Sequence, residues 1–227
     1  MQYDDFEKLL SQARLSRFLK ACDGDKQKAL QLYRLNIKLS QNFYAILSMF
    51  EVALRNAINI HYSNHFSDKE WLKNQCIGNG FLNNSAFQTG RFKSKKKVDL
   101  AIRELGVRYT HDRVIASLSL GFWVNLFAPI QFRLAGQNLH KIFSNRPKGT
   151  LPRLIFAELN IILDFRNRVA HHEPICFNGS QSINLTSAVS TYNSIIQLTQ
   201  WLNIDNLRFL KDLDNTNQIF AEINSLK

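Results

Sequence analysis

KQKALQLYRLNIKLSQNFYAILSMFEVALRNAINIHYSNH, residues 26–65, runs for 40 residues without a glycine or a proline. Apolar side chains recur through it at spacings of three and four, the period of a helix that buries one stripe. The spacing predicts one very long helix, or two abutting ones, over Lys26 to His65. Phe43, Phe50, Leu54 and Ala57 share one apolar arc of it. Asp23-Gly24-Asp25 breaks the chain just before, with Asp25 or Gly24 placed to cap the helix.

The same punctuation holds outward from this stretch. Only 9 glycines and 4 prolines occur in 227 residues, too few turn signals for a many-stranded β-protein. Asp4 to Ala21 reads as a first helix with Phe6, Leu9, Leu10 and Ala13 on a stripe. Phe66 to Gly90 reads as a loop with a short helix. Leu151 to Ala170 is a strong helix with Pro152 in its first turn, and Pro174 stops it. Ser182 to Leu202 and Asp205 to Leu226 supply two more. Val114 to Phe132 carries no charge over 19 residues. Its Ser117, Ser119, Gly121, Asn125, Pro129 and Gln131 make it a buried helix ending near Phe127, with a new element from Pro129, and not a membrane span. No repeat, low-complexity tract or linker divides the chain. The expectation is an all-α, single-domain helical bundle over residues 1–227.

Twenty-nine Lys and Arg against 18 Asp and Glu leave a formal charge of +11, which points to a polyanionic partner, nucleic acid or an anionic membrane. Much of the surplus sits between Arg91 and Arg113, where eight basic residues face three acidic ones. Arg91, Lys95, Lys96 and Lys97 are the candidate phosphate contacts there; a solvated face is the plainer reading. Cys22, Cys76 and Cys176 are far apart and odd in number, so they read as reduced structural thiols of a cytoplasmic protein. The acidic start, MQYDDFE, reads as a helix and not as a signal peptide.

One constellation carries chemistry: DFRNRVAHHEP, residues 164–174, at the end of a long apolar helix. At 3.6 residues per turn, Ile155, Leu159, Ile162, Leu163, Val169 and Ala170 all fall within about 60° of Arg166. A guanidinium in an apolar stripe needs a carboxylate, a phosphate or an interface. Asn167 and His171, at i and i+4, share one rim beside it. His172 projects elsewhere on a continued helix. Arg55-Asn56-x4-His61 has a related spacing, but His61 falls inside the apolar arc and reads as a core histidine. Glu51 and Arg55 face away from that arc with Asn59 and Tyr62. They lock each other, or Glu51 holds Arg166.

Arg166-Asn167-x3-His171 resembles the R-x(4–6)-H motif of HEPN-domain ribonucleases. Residues 44–57, YAILSMFEVALRNA, resemble the N-terminal signature of Abi-like (abortive-infection) proteins of that superfamily. Residues 118–127, LSLGFWVNLF, resemble their central apolar helix. The three segments cover about residues 40–175 in the family's order. The resemblance implies a HEPN-type bundle with extra flanking helices and metal-independent RNA cleavage in phage defence. It also implies a homodimer that pairs two Arg–His motifs, no cofactor, and neutralisation by an antitoxin such as a structured noncoding RNA. Arg166, Asn167 and His171 are then the catalytic candidates, with Glu51, Arg55 and His172 in support. The tyrosine that some HEPN toxins carry two residues beyond the histidine is Glu173 here.

Other motifs fail. His61-x3-His65 has metal-ligand spacing without the glutamate of H-E-x-x-H and reads as a chance pair. Neither a P-loop nor a nucleophile elbow is present. Two other function classes stay open on the residues: a non-catalytic helical RNA-binding module, and a protein-interaction scaffold in which Arg166 serves only dimerisation.

Overall fold

A computed structural model describes residues 2–88, 93–179 and 181–227. Its described residues form helices and turns and contain no strand. The helices are α1 (Tyr3–Leu10), α2 (Gln12–Ala21), α3 (Lys26–His65), α4 (Trp71–Asn74), α5 (Ser94–Leu105), α6 (His111–Ser117), α7 (Leu120–Asn125), α8 (Pro129–Leu134), α9 (Pro152–Ala170), α10 (Thr186–Trp201), α11 (Asn206–Phe209) and α12 (Thr216–Asn224). The long glycine-free stretch is one helix, and Asp25 caps it. Its Oδ1 accepts from the amides of Gln27 at 2.9 Å and Lys28 at 3.0 Å, satisfying donors that the first turn leaves without a helical partner.

The chain divides into two compact units, with boundaries inside α3, α9 and α10. The first comprises residues 1–49, 164–196 and 206–227. Its core holds Phe18, Phe43, Phe165, Phe177 and Phe220, with Phe43 and Phe165 in contact at a 4.6 Å centroid distance. Two buried asparagines tie it together. Asn42 donates to the Leu213 carbonyl at 2.5 Å and accepts from the Thr216 hydroxyl at 2.6 Å. Asn36 accepts from the amides of Ile175 at 2.8 Å and Cys176 at 3.1 Å.

The second unit comprises residues 50–163 and 197–205. Every residue of α7 is buried, and Asn125 within it donates to Ser94 Oγ at 2.8 Å. Tyr62, Trp71, Phe81 and Phe87 form an aromatic cluster, with Tyr62 and Trp71 4.8 Å apart. Among the described residues no helix is long and apolar enough to cross a membrane.

Four details depart from the sequence reading. The first predicted helix is broken at Ser11, whose φ of 77° lies in the left-handed region. Its buried residues are Tyr3, Leu15 and Phe18, whereas Leu9 is 70 % exposed. The uncharged 114–132 stretch is interrupted at Leu118–Ser119 as well as at Pro129. The last predicted helix is two, α11 and α12, with Asp212 at φ 63° between them. Tyr62, grouped with the outward residues of α3, is fully buried.

Two half-buried histidines of the second unit, His111 and His140, give the fold an acid-sensitive term. Burial lowers both below the ordinary imidazole value; for His140 the charges of Arg146, Lys141 and His61 add to it. Each has a buried Nδ1 without a hydrogen-bond partner. The unfolded chain therefore takes up these protons first as pH falls below about 6.5. Stability is expected to be full above that value and to decline through the window beneath it. Urea midpoints at pH 7.5 and 5.5 measure the decline, and His111→Gln with His140→Gln should make it shallower. An unchanged difference between the two pH values would show that these imidazoles carry none of it.

Candidate functional site

The candidate motif lies where α9 ends. Ile155, Leu159, Ile162, Leu163 and Val169 of its predicted stripe are buried, while Ala170 is exposed. Arg166 is half-buried, as is Asn167, and Arg166 Nη1 donates to Asn167 Oδ1 at 3.5 Å. The helix stops at Ala170, yet the His171 amide still bonds the Asn167 carbonyl at 2.9 Å. His171 thus keeps its helical placement relative to Asn167 while its ring is exposed.

What fixes His171 is a Schellman turn. The Glu173 amide bonds the Arg168 carbonyl at 2.9 Å, and the His172 amide bonds the Val169 carbonyl at 3.1 Å. His172 occupies the left-handed position of that motif, with φ 56°, where glycine is the unstrained residue. His172 lies beyond the helix, so a helical wheel does not describe it. Its carbonyl accepts from Arg14 Nη2 at 2.6 Å.

Arg168, two residues from Arg166, holds the exit of the turn. Its Nη2 donates to the carbonyls of Pro174 at 2.8 Å and Phe177 at 3.0 Å, and its Nε lies 3.6 Å from the Glu173 carboxylate. The two arginines of Arg166-Asn167-Arg168 therefore play different parts: Arg168 is bound into the backbone, and Arg166 meets the Asn167 side chain. Sequence reasoning missed Arg14, Asn36 and Arg168. Only Asn36 had a readable signal, a polar residue on the apolar stripe of Leu32, Leu35 and Leu39.

Of the supporting candidates, His172 lies in the first unit, and Glu51 and Arg55 lie in the second. Glu51 and Arg55 are half-buried; Arg55 Nη1 donates to the Ala116 carbonyl at 3.3 Å, and its Nε is buried without a hydrogen-bond partner. His61 is half-buried and its Nε2 meets Asn138 Oδ1 at 2.8 Å, while Asn138 Nδ2 lies 3.1 Å from His65 Nδ1. Arg91 lies outside the described residues. Lys96 is exposed, whereas Lys95 is matched by Asp99 at 2.8 Å and Lys97 is half-buried, which lowers its ammonium below the usual lysine range.

The second unit also contains a polar cluster that the sequence did not single out. Trp71 Nε1 and His111 Nε2 both meet Asn59 Oδ1, at 2.8 and 2.9 Å. An indole nitrogen only donates, so Asn59 presents its oxygen to both and His111 carries a proton on Nε2. Beside it Tyr109 donates to Glu70, and both burial and that carboxylate raise the phenol above its usual range. Asn59, Glu70, Tyr109 and His111 line an open cleft of about 490 Å³.

No family model, curated protein or solved structure gives a significant match to the chain.

Proposed function

We propose that the chain is a metal-independent endoribonuclease of the HEPN type, acting in an abortive-infection system. One observation carries the reading: a half-buried guanidinium, its amide neighbour and an exposed imidazole fall within six consecutive residues at the C-terminal end of α9, and a stapled cap closes the helix just beyond them. The motif resemblance supplies the superfamily and its biological setting. In this reading the imidazole takes the proton of a ribose 2′-OH, whose oxygen attacks the adjacent phosphorus. The bond from phosphorus to the 5′-oxygen breaks, leaving a 2′,3′-cyclic phosphate and a 5′-OH. Imidazole is the side chain suited to proton transfer near neutral pH. Arg166 meets the charge that grows on the phosphoryl oxygens, and Asn167 orients it.

The departing 5′-oxygen needs a proton from the side opposite the base. One His171 cannot serve both sides at once. Two copies of the chain, each contributing Arg166 and His171, complete the site, so the active species is a homodimer. Regulation by an antitoxin, RNA or protein, accounts for how a cell tolerates such an enzyme between infections.

The test is incubation of the purified protein with total cellular RNA in EDTA, with the product ends analysed. Fragments ending in 2′,3′-cyclic phosphate are expected, at a rate second order in protein below the dimer dissociation constant. Intact RNA across a wide protein range would overturn the nuclease reading. Bound but uncut RNA would favour a binding module in its place.

A further inference from the structure

The structure sorts the cations of the basic segment into two sets. Lys95 is matched by Asp99, Lys97 is half-buried, and Arg113 Nη1 donates to the Arg108 carbonyl at 2.9 Å. Lys93, Lys96, Arg103 and Arg108 are exposed and form no ion pair among the described residues. On α5, Lys96, Leu100 and Arg103 fall within about 60° of one another. Ser94, Val98 and Ala101, on the opposite side, are buried. The outer stripe is therefore cationic along its length. The acid nearest to it, Asp99, is already matched, and Glu104 lies further round the helix.

We infer that this outer face of α5 is the track for the sugar–phosphate backbone of the RNA, with Lys96 and Arg103 making sequence-independent phosphate contacts. The inference rests on reading the chain as an RNA-cleaving protein, and it names residues other than those of the scissile site. Lys96 and Arg103 lie about 10 Å apart along the helix axis, so they engage successive charges of one strand and not a single anion. Leu100 and Val107 are the exposed apolar groups here, too few to seat a helix in a bilayer, which requires a broad apolar face. Nucleic acid is therefore favoured over anionic lipid.

The experiment uses the full chain and a fluorescent single strand carrying 2′-O-methyl riboses, which lacks the attacking hydroxyl and stays intact. Lys96→Gln with Arg103→Gln should weaken binding about tenfold or more. It should also reduce the slope of log affinity against log salt by about 1.4, the share of two phosphate contacts on a single strand. Lys95→Gln with Lys97→Gln should change affinity less than about threefold. Cleavage of ordinary RNA at saturation should survive the first pair of changes.

Equal losses from the two pairs, or none from the first, would overturn the track while leaving the nuclease reading intact. The expected pattern in a wild-type protein that cuts no RNA would overturn the nuclease reading and keep the track. Retention on phosphatidylserine vesicles, lost with Lys96 and Arg103, in a protein that ignores RNA would assign the stripe to lipid and overturn the inference.

Discussion

His171→Ala is expected to lower the rate of RNA cleavage at saturating substrate by about 10²–10⁴-fold, the usual worth of a general acid or base. His172→Gly is expected to leave it within about threefold. The contrast is sharp because the two histidines are adjacent and both exposed, yet sit in different backbone states. His171 still closes a helical bond to Asn167. His172 is in the left-handed position of the cap, so glycine removes its imidazole and keeps the turn without strain. Arg166→Ala should cost about 10²–10³-fold, on the scale of losing a preorganised group that stabilises transition-state charge. Arg166→Lys should recover only part of this, since an ammonium lacks the planar fork that grips two phosphoryl oxygens. Substrate affinity in the His171 variant should stay close to wild type, because the proton-transfer group contributes after binding. Full activity in His171→Ala would remove this residue from the mechanism, whatever else the protein does to RNA.

Asn36→Ala should lower folding stability by about 3 kcal/mol, the sum of two buried amide donors left without an acceptor. The single side-chain oxygen of this residue serves both Ile175 and Cys176, and Asn36 is 2 % exposed. The chain that it holds is the stretch leaving the Schellman turn. Asn36→Leu, which fills the volume but offers no acceptor, should be as harmful as the alanine change, so the loss is one of hydrogen bonding and not of packing. Urea unfolding followed by far-ultraviolet dichroism measures both. A loss below about 1 kcal/mol would mean that water reaches the two amides and replaces the oxygen. Because the loop lies directly beyond His171, a folded but weakened Asn36 variant should also cleave RNA more slowly.

The helical class of this chain was legible because long glycine-free periodic stretches leave few alternatives. Asp25 as a cap, Pro152 at the start of α9 and a new element at Pro129 follow from local chemistry that acts within a few residues. The breaks at Ser11, at Leu118–Ser119 and at Asp212 were not legible. None carries a glycine or a proline to mark it. The site divides in the same way. Arg166 stood out as a cation on an apolar stripe, and applying that rule to Asn36 finds it too. Arg168 has no such signal, because its partners are backbone carbonyls of Pro174 and Phe177, groups that every residue carries. The left-handed turn at His172 was not legible, because a helical wheel assumes that the helix continues and no glycine marks its end. Lys95 and Asp99 are four residues apart on one helix, a spacing that by itself favours their ion pair and takes Lys95 out of the free cations of the basic segment.

The three buried thiols give the molecule built-in clocks. Cys22 and Cys176 belong to the first unit and Cys76 to the second, and all three are free. Burial pushes Cys76 and Cys176 up to about 12, so at neutral pH the reactive thiolate is on the order of 10⁻⁵ of either. A disulfide reagent meets these sulfurs only when the surrounding structure opens. The labelling rate at each position thus counts opening events, and mass spectrometry of the labelled peptides separates the two units without any change to the sequence. If RNA tightens one unit alone, only the thiols of that unit will slow.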